Sequence, residues 1–162
     1  MTAWLAYREP LNPVSKLHAL IHMVYGIRLC AFLLFRELNI PRFREMRERI
    51  ERNSPSTRLM RAPFILQCAL LYFFMSLPVH VTNTVPAAAT GTVLSRLTYG
   101  ALGISALGLA VNIIGDLHKT IAKARGVSLV TGGLFSVLRH PNYTGESFLW
   151  TFSPVAALLT AY

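Results

Sequence analysis

Acidic residues are scarce in this sequence. Seven aspartates and glutamates stand against sixteen lysines and arginines in 162 residues, a net charge of +9. Charge of either sign is thin at 14%, while 53% of residues are hydrophobic and the mean hydropathy is +0.45. Soluble domains carry about 25% charged residues, so an ordinary soluble domain is excluded. Nucleic-acid binding is disfavoured too, because the basic residues gather in two blocks beside apolar runs, the pattern of cytoplasmic loops. Only two cysteines occur, Cys30 and Cys68, both within apolar runs where they serve as small hydrophobes. The opening MTAWLAYREPLNPVSK does not show the basic stretch and apolar run of a cleaved signal. No Gly-x-Gly-x-x-Gly follows a strand-like run, which excludes a Rossmann site.

What is present is a series of apolar runs. Residues 17–35 match the ~20 needed to cross a bilayer. They carry His18, His22, Tyr25 and Arg28, spaced four, three and three, which on a helix is one polar stripe facing a bundle interior or cavity. The stripe is expected to be a polar seam between helices, with no metal, since His18 and His22 have no third ligand nearby. Arg28 in a span requires an anionic partner or water. Residues 36–61 hold eight arginines against four glutamates, net +4. Within them Phe43, Met46 and Ile50 recur at helical spacing among charges, predicting an interfacial amphipathic helix over 42–53.

A second span is expected at 63–81 and a loop poor in charge at 82–97, facing away from the cytoplasm. A third span covers 98–116. In it Ala101, Ser105, Gly108, Asn112 and Gly115 form a small-residue seam suited to close helix approach. Asp116 follows on the same side one turn after Asn112, and Lys123 extends the row if the helix continues. Residues 119–139 carry four cations and no acid, matching the first basic loop in side. The last apolar run, 147–162, is barely long enough to cross. The expected fold is an all-α polytopic membrane bundle with four apolar spans, short at both ends.

Between the third and fourth runs lies TGGLFSVLRHPNYTGE, residues 131–146. Its glycines permit turns and close backbone approach, and Pro141 is expected to break any helix. Arg139, His140, Asn142, Tyr143 and Glu146 are then free to converge on a cofactor from a loop spanning 119–146.

The run Gly132-Gly133-Leu134-Phe135 followed by Arg139-His140-Pro141-Asn142-Tyr143-Thr144-Gly145-Glu146 resembles the membrane family called domain of unknown function 1295 (DUF1295). That family is related to the C-terminal half of steroid 5-alpha-reductases and to the membrane sterol reductases. Tyr25-Gly26-Ile27-Arg28-Leu29, the Gln67–Pro78 span and Asn112-x-x-x-Asp116 fit the same family, so the resemblance covers about residues 18 to 155. It implies an NADPH pocket between helices, with Asn112, Asp116, Asn142 and Glu146 touching the cofactor. Arg139, His140 and Tyr143 match the sterol-reductase branch. Chemistry independently nominates Arg139, Lys123 and Arg125 as phosphate donors.

The resemblance implies further helices before and after these spans, which this sequence is expected to lack. It also implies that the group polarising a substrate carbonyl in the steroid reductases falls in such a part. Tyr25 and Tyr143 remain as proton-donor candidates by chemistry alone, so no catalytic residue is assigned. The expected function is NADPH-dependent reduction of a C=C bond in a steroid, sterol or other lipid-like substrate, with the endoplasmic reticulum as the expected membrane. Two alternatives stand beside it. One is an S-adenosylmethionine-dependent membrane methyltransferase, whose Arg-His-Pro-x-Tyr-x-Gly turn is similar. The other is a non-catalytic or incomplete membrane protein. Asn142 and Glu146 favour the reductase.

Overall fold

In the computed structural model, which describes residues 12–53, 62–84, 92–127 and 129–162, Asn12 and Pro13 begin the first helix. The Asn12 side chain accepts from Ser15 N at 2.9 Å, and Pro13 takes a first-turn position where no N–H is needed. Helix α1 then runs Pro13–Asn39, and α2, Pro41–Asn53, follows after the single extended residue Ile40. α3 is Ala62–Thr84, α4 is Val93–Ala124 and α5 is Pro141–Ala161. A short 3-10 turn at Gly133–Ser136 precedes α5. The described residues contain five α-helices and no strand.

α1, α3 and α4 are long and apolar enough to cross a membrane, so the protein is an integral, multi-pass membrane bundle. α5 falls below that mark because Asn142, Thr144, Glu146 and Ser147 make its first turns polar. Each helix outruns its expected apolar segment, since a helix needs no hydrocarbon to continue once hydrogen-bonded. The loop expected at 82–97 is helical through Thr84 and again from Val93. The interfacial helix expected over 42–53 is α2, although the side chain of Phe43 lies outside the described residues, as do Arg58 and Arg61.

Two helices form the centre. α4 and α5 pack along most of their length, and the small-residue seam is the reason. Ala101, Ser105, Gly108, Asn112 and Gly115 are all buried. A methyl group on Gly108 would stand 2.6 Å from the Gly145 carbonyl oxygen, and one on Gly145 would stand 2.5 Å from Asn112 N. Backbone meets backbone there, an approach only glycine allows.

α1 lays its stripe across this pair. Val14, His18, Ile21 and Tyr25 are buried at helical spacing, and the seam expected around the histidines links three helices. His22 Nδ1 donates to the His18 carbonyl at 3.1 Å, so the neutral ring accepts at Nε2 from the Ser153 hydroxyl, 3.3 Å away. Having one proton to give, Ser153 accepts in turn from His18 Nε2 at 2.8 Å. His18 Nδ1 is left facing Thr82 Oγ1 at 3.1 Å, whose one proton is shared between that nitrogen and the Val79 carbonyl at 3.0 Å, and Ser15 Oγ donates to the Thr82 carbonyl. Thr82 and Val79 are the buried residues of α3. The rest of that helix, including Phe64, Leu70 and Phe74, turns outward as a bilayer-facing surface.

Candidate functional site

The 119–146 segment is not one loop. α4 continues through Ala124, and its end is a Schellman arrangement. Gly126 takes φ +80°, Gly126 N donates to Lys123 O at 3.1 Å, and Val127 N donates to Ala122 O at 3.1 Å. The chain then returns to α4 through the 3-10 turn. Gly133, at φ +60°, lies against the His118 ring so closely that a methyl carbon would sit 2.7 Å from Cε1, and Phe135 meets the same ring edge-on. Pro141 starts α5 where it was expected to break a helix. With no N–H and a fixed φ it suits the first helical position. Asn142, Tyr143 and Glu146 therefore occupy the first two turns of a helix.

That start brings the α5 motif onto α4 and α1. Asn112 Nδ2 donates to the Asn142 carbonyl at 2.8 Å, and Asn142 Nδ2 donates to Asp116 Oδ1 at 3.1 Å. A methyl group on Gly115 would meet Asn142 N at 2.9 Å, so the glycine admits the motif. From α1, Arg28 forms an ion pair with Asp116, and the Tyr25 hydroxyl donates to Glu146 Oε1 at 2.5 Å. The anionic partner required by Arg28 is thus Asp116. Six polar side chains from three helices bind one another here, and two amide oxygens, Asn112 Oδ1 and Asn142 Oδ1, remain buried without a partner.

One edge of this cluster opens into a groove of about 1080 Å³. Its polar wall comes from α4 and α5: Asp116, Lys119, Thr120, Lys123, Asn142 and Tyr143. The facing wall comes from α1 and α2, with apolar Phe32, Phe35, Ile40 and Met46, and with Arg36, Glu45 and Arg49 among them. Both basic stretches therefore meet at the same end of the bundle. α2 is fastened there by Arg44, which donates to the Leu38 carbonyl at 3.0 Å, and by the Arg47–Glu37 ion pair at 2.5 Å.

The expected cofactor residues divide into three groups. Asp116, Lys123, Asn142 and Tyr143 line the groove. Asn112 and Glu146 lie behind it, holding Asn142 and Tyr25. Arg125, Arg139 and His140 are exposed and outside the lining, with His140 edge-on to Tyr143 at 5.8 Å. Sequence reasoning passed over Lys119, Thr120, Arg36 and Arg49. The first two were detectable as neighbours of Asp116 and Lys123 on a helix extended by two turns. Arg36 and Arg49 carried no local signal, because only the fold of α2 against α1 brings them to the groove.

Among curated proteins and solved structures, none matches the chain. The family model described as Protein of unknown function (DUF1295) matches residues 1–161, and the chain belongs to that family.

Proposed function

We propose that the protein is a membrane reductase that uses NADPH to reduce a C=C bond in a lipid-like substrate. The observation that carries this reading is the groove, with one polar cationic wall and one apolar wall, in the size class of cofactor pockets. Lys119 and Lys123 supply ammonium donors for phosphate groups. The amide of Asn142, the hydroxyl of Thr120 and the carboxylate of Asp116 suit ribose hydroxyls and a carboxamide. The unpartnered oxygen of Asn142, a residue of the groove lining, is an acceptor that an amide or hydroxyl can satisfy.

When bound, NADPH supplies the hydride. The chain's own contribution is to hold the substrate against Phe32, Phe35, Ile40 and Met46 and to deliver a proton. Of the two tyrosine candidates, Tyr143 lines the groove and is 62% exposed, while Tyr25 is buried and bonded to Glu146. Tyr143 is therefore assigned the proton transfer, and Tyr25 the positioning of Glu146. The positive-inside rule puts the groove end at the cytoplasmic face, and the endoplasmic reticulum is the membrane proposed.

The experiment is a thermal-shift comparison of purified protein with NADPH and with S-adenosylmethionine, since a ligand of the folded state raises apparent stability. Stabilisation by NADPH, weakened in Lys119→Gln/Lys123→Gln, supports the reductase. Stabilisation by S-adenosylmethionine alone moves the protein to the methyltransferases.

A further inference from the structure

Two separate pairs of cations border the groove. Lys119 and Lys123 stand on α4, while Arg36 and Arg49 stand on the opposite wall, among the apolar side chains. The second pair stands on different helices from the first, and its surroundings differ. Arg36 has its guanidinium carbon 5.4 Å from the Phe32 ring centroid, and Arg28 approaches the same ring at 5.2 Å. Arg28, Phe32 and Arg36 thus form a column on one face of α1, with Arg28 committed to Asp116. The aromatic contact orders the Arg36 head beside the apolar wall.

Arg49 is also distinguished from its neighbours. Arg44 and Arg47 fasten α2 to α1, and Arg52 contacts Glu48 at 3.5 Å on the helix's outer side. Among the described side chains of α2, Arg49 is the arginine that lines the groove, where Glu45 is the acidic residue on its wall. Phe35, part of the same wall, is half exposed, and Leu34 and Leu38 beside it on α1 face outward at 59% and 62% exposure. The apolar wall is continuous with the bilayer-facing surface of α1, so a chain can enter sideways from the membrane while its head stays at the arginines.

We infer that Arg36 and Arg49 form a head-group site for an amphiphile with an anionic head, a phosphate or carboxylate, whose hydrocarbon lies along Phe32, Phe35, Ile40 and Met46. Two guanidiniums on a membrane-facing apolar wall match such a ligand in both charge and shape. Naming this amphiphile as the substrate rests on the reductase reading. The binding site itself stands without it.

The test uses the full chain in neutral detergent and follows its thermal transition with dodecyl phosphate, dodecanol and inorganic phosphate. Dodecyl phosphate is expected to raise the transition, with dodecanol and inorganic phosphate each giving much less. Arg36→Gln/Arg49→Gln is expected to weaken dodecyl phosphate at least tenfold, Arg36→Lys/Arg49→Lys to recover part of it, and Lys119→Gln/Lys123→Gln to leave it within threefold. Equal effects of dodecyl phosphate and dodecanol, or of dodecyl phosphate and inorganic phosphate, overturn the inference. So does unchanged dodecyl phosphate binding in the glutamine pair. If that pair fails to fold, dodecyl phosphate binding by the lysine pair at less than half strength carries the same decision against unaltered protein. Dodecyl phosphate binding without any NADPH response leaves the head-group site standing and removes the reductase.

Discussion

Arg28 on α1 and Asp116 on α4 form an ion pair whose side chains are only 15% and 16% exposed. Removing one partner leaves a charge within the bundle, whereas removing both leaves none. Asp116→Asn is expected to lower the stability of the folded protein by about 3 kcal/mol, and Arg28→Met/Asp116→Leu to recover most of it. Unfolding in mixed micelles measures both. A double variant as unstable as the single one would show that the pair's worth lies in its own attraction.

Gly145 and Gly108 bring α5 and α4 into backbone contact. Gly145→Ala must push the helices apart, costing about 1–3 kcal/mol, and the Asn112–Asn142 bond should loosen with it. Gly103→Ala, where a methyl group meets nothing within 4 Å, is expected to be neutral or stabilising by up to about 1 kcal/mol, because alanine is the better helix former. Paired thermal transitions of the two variants check this.

Ser153 is the bridge between His18 and His22. Ser153→Ala strands a donor on one ring and an acceptor on the other, with an expected loss of about 1–3 kcal/mol. Combined with Thr82→Val the losses should not add, the mark of a shared network. Strict additivity in a double-mutant cycle would mean the two hydroxyls act separately.

The two phenols are expected to behave differently. On the proposed reductase reading, Tyr143→Phe should depress kcat with NADPH binding and folding intact. Tyr25→Phe should cost about 1.5–3 kcal/mol of stability through the lost bond to the Glu146 carboxylate. Single-turnover rates beside thermal transitions separate the roles, and a kcat loss confined to Tyr25→Phe would reverse the assignment.

Single cysteines introduced by Arg44→Cys and Arg125→Cys into a Cys30→Ala/Cys68→Ala background should label from the same side of the membrane. Labelling from opposite sides would contradict the meeting of both basic stretches at the groove end.

The helices were legible because apolar length and small-residue spacing are local properties. The five-residue seam of α4 could be picked out by period alone, and so could the histidine stripe of α1. The 131–146 segment was misjudged where a residue has two uses. Pro141 reads as a breaker from the sequence, but at the first position it is a starter, and nothing within a few residues distinguishes the two. The pairing of Tyr25 with Glu146, 121 positions apart, could not be read from spacing at all. The resemblance named several residues that the fold brings into one neighbourhood, Asn112, Asp116, Asn142 and Glu146 among them. It did not reveal that Asp116 and Glu146 are already engaged by α1, so that the groove's free polar surface comes partly from residues beyond the motif.

The contact of Gly108 with Gly145 has no rotamer in it. α4 and α5 therefore form a stiff plate whose spacing is fixed by main chain, and Asn112, Asp116 and Asn142 are printed on that plate. α1 is joined to it through side chains, and α2 to α1, contacts that are longer and more compliant. The polar wall of the groove is thus set on the plate, and the width of the groove is set by how far α1 and α2 stand off. A shift of α2 leaves every hydrogen bond of the plate in place, whereas a shift of α1 must strain Arg28–Asp116 and Tyr25–Glu146.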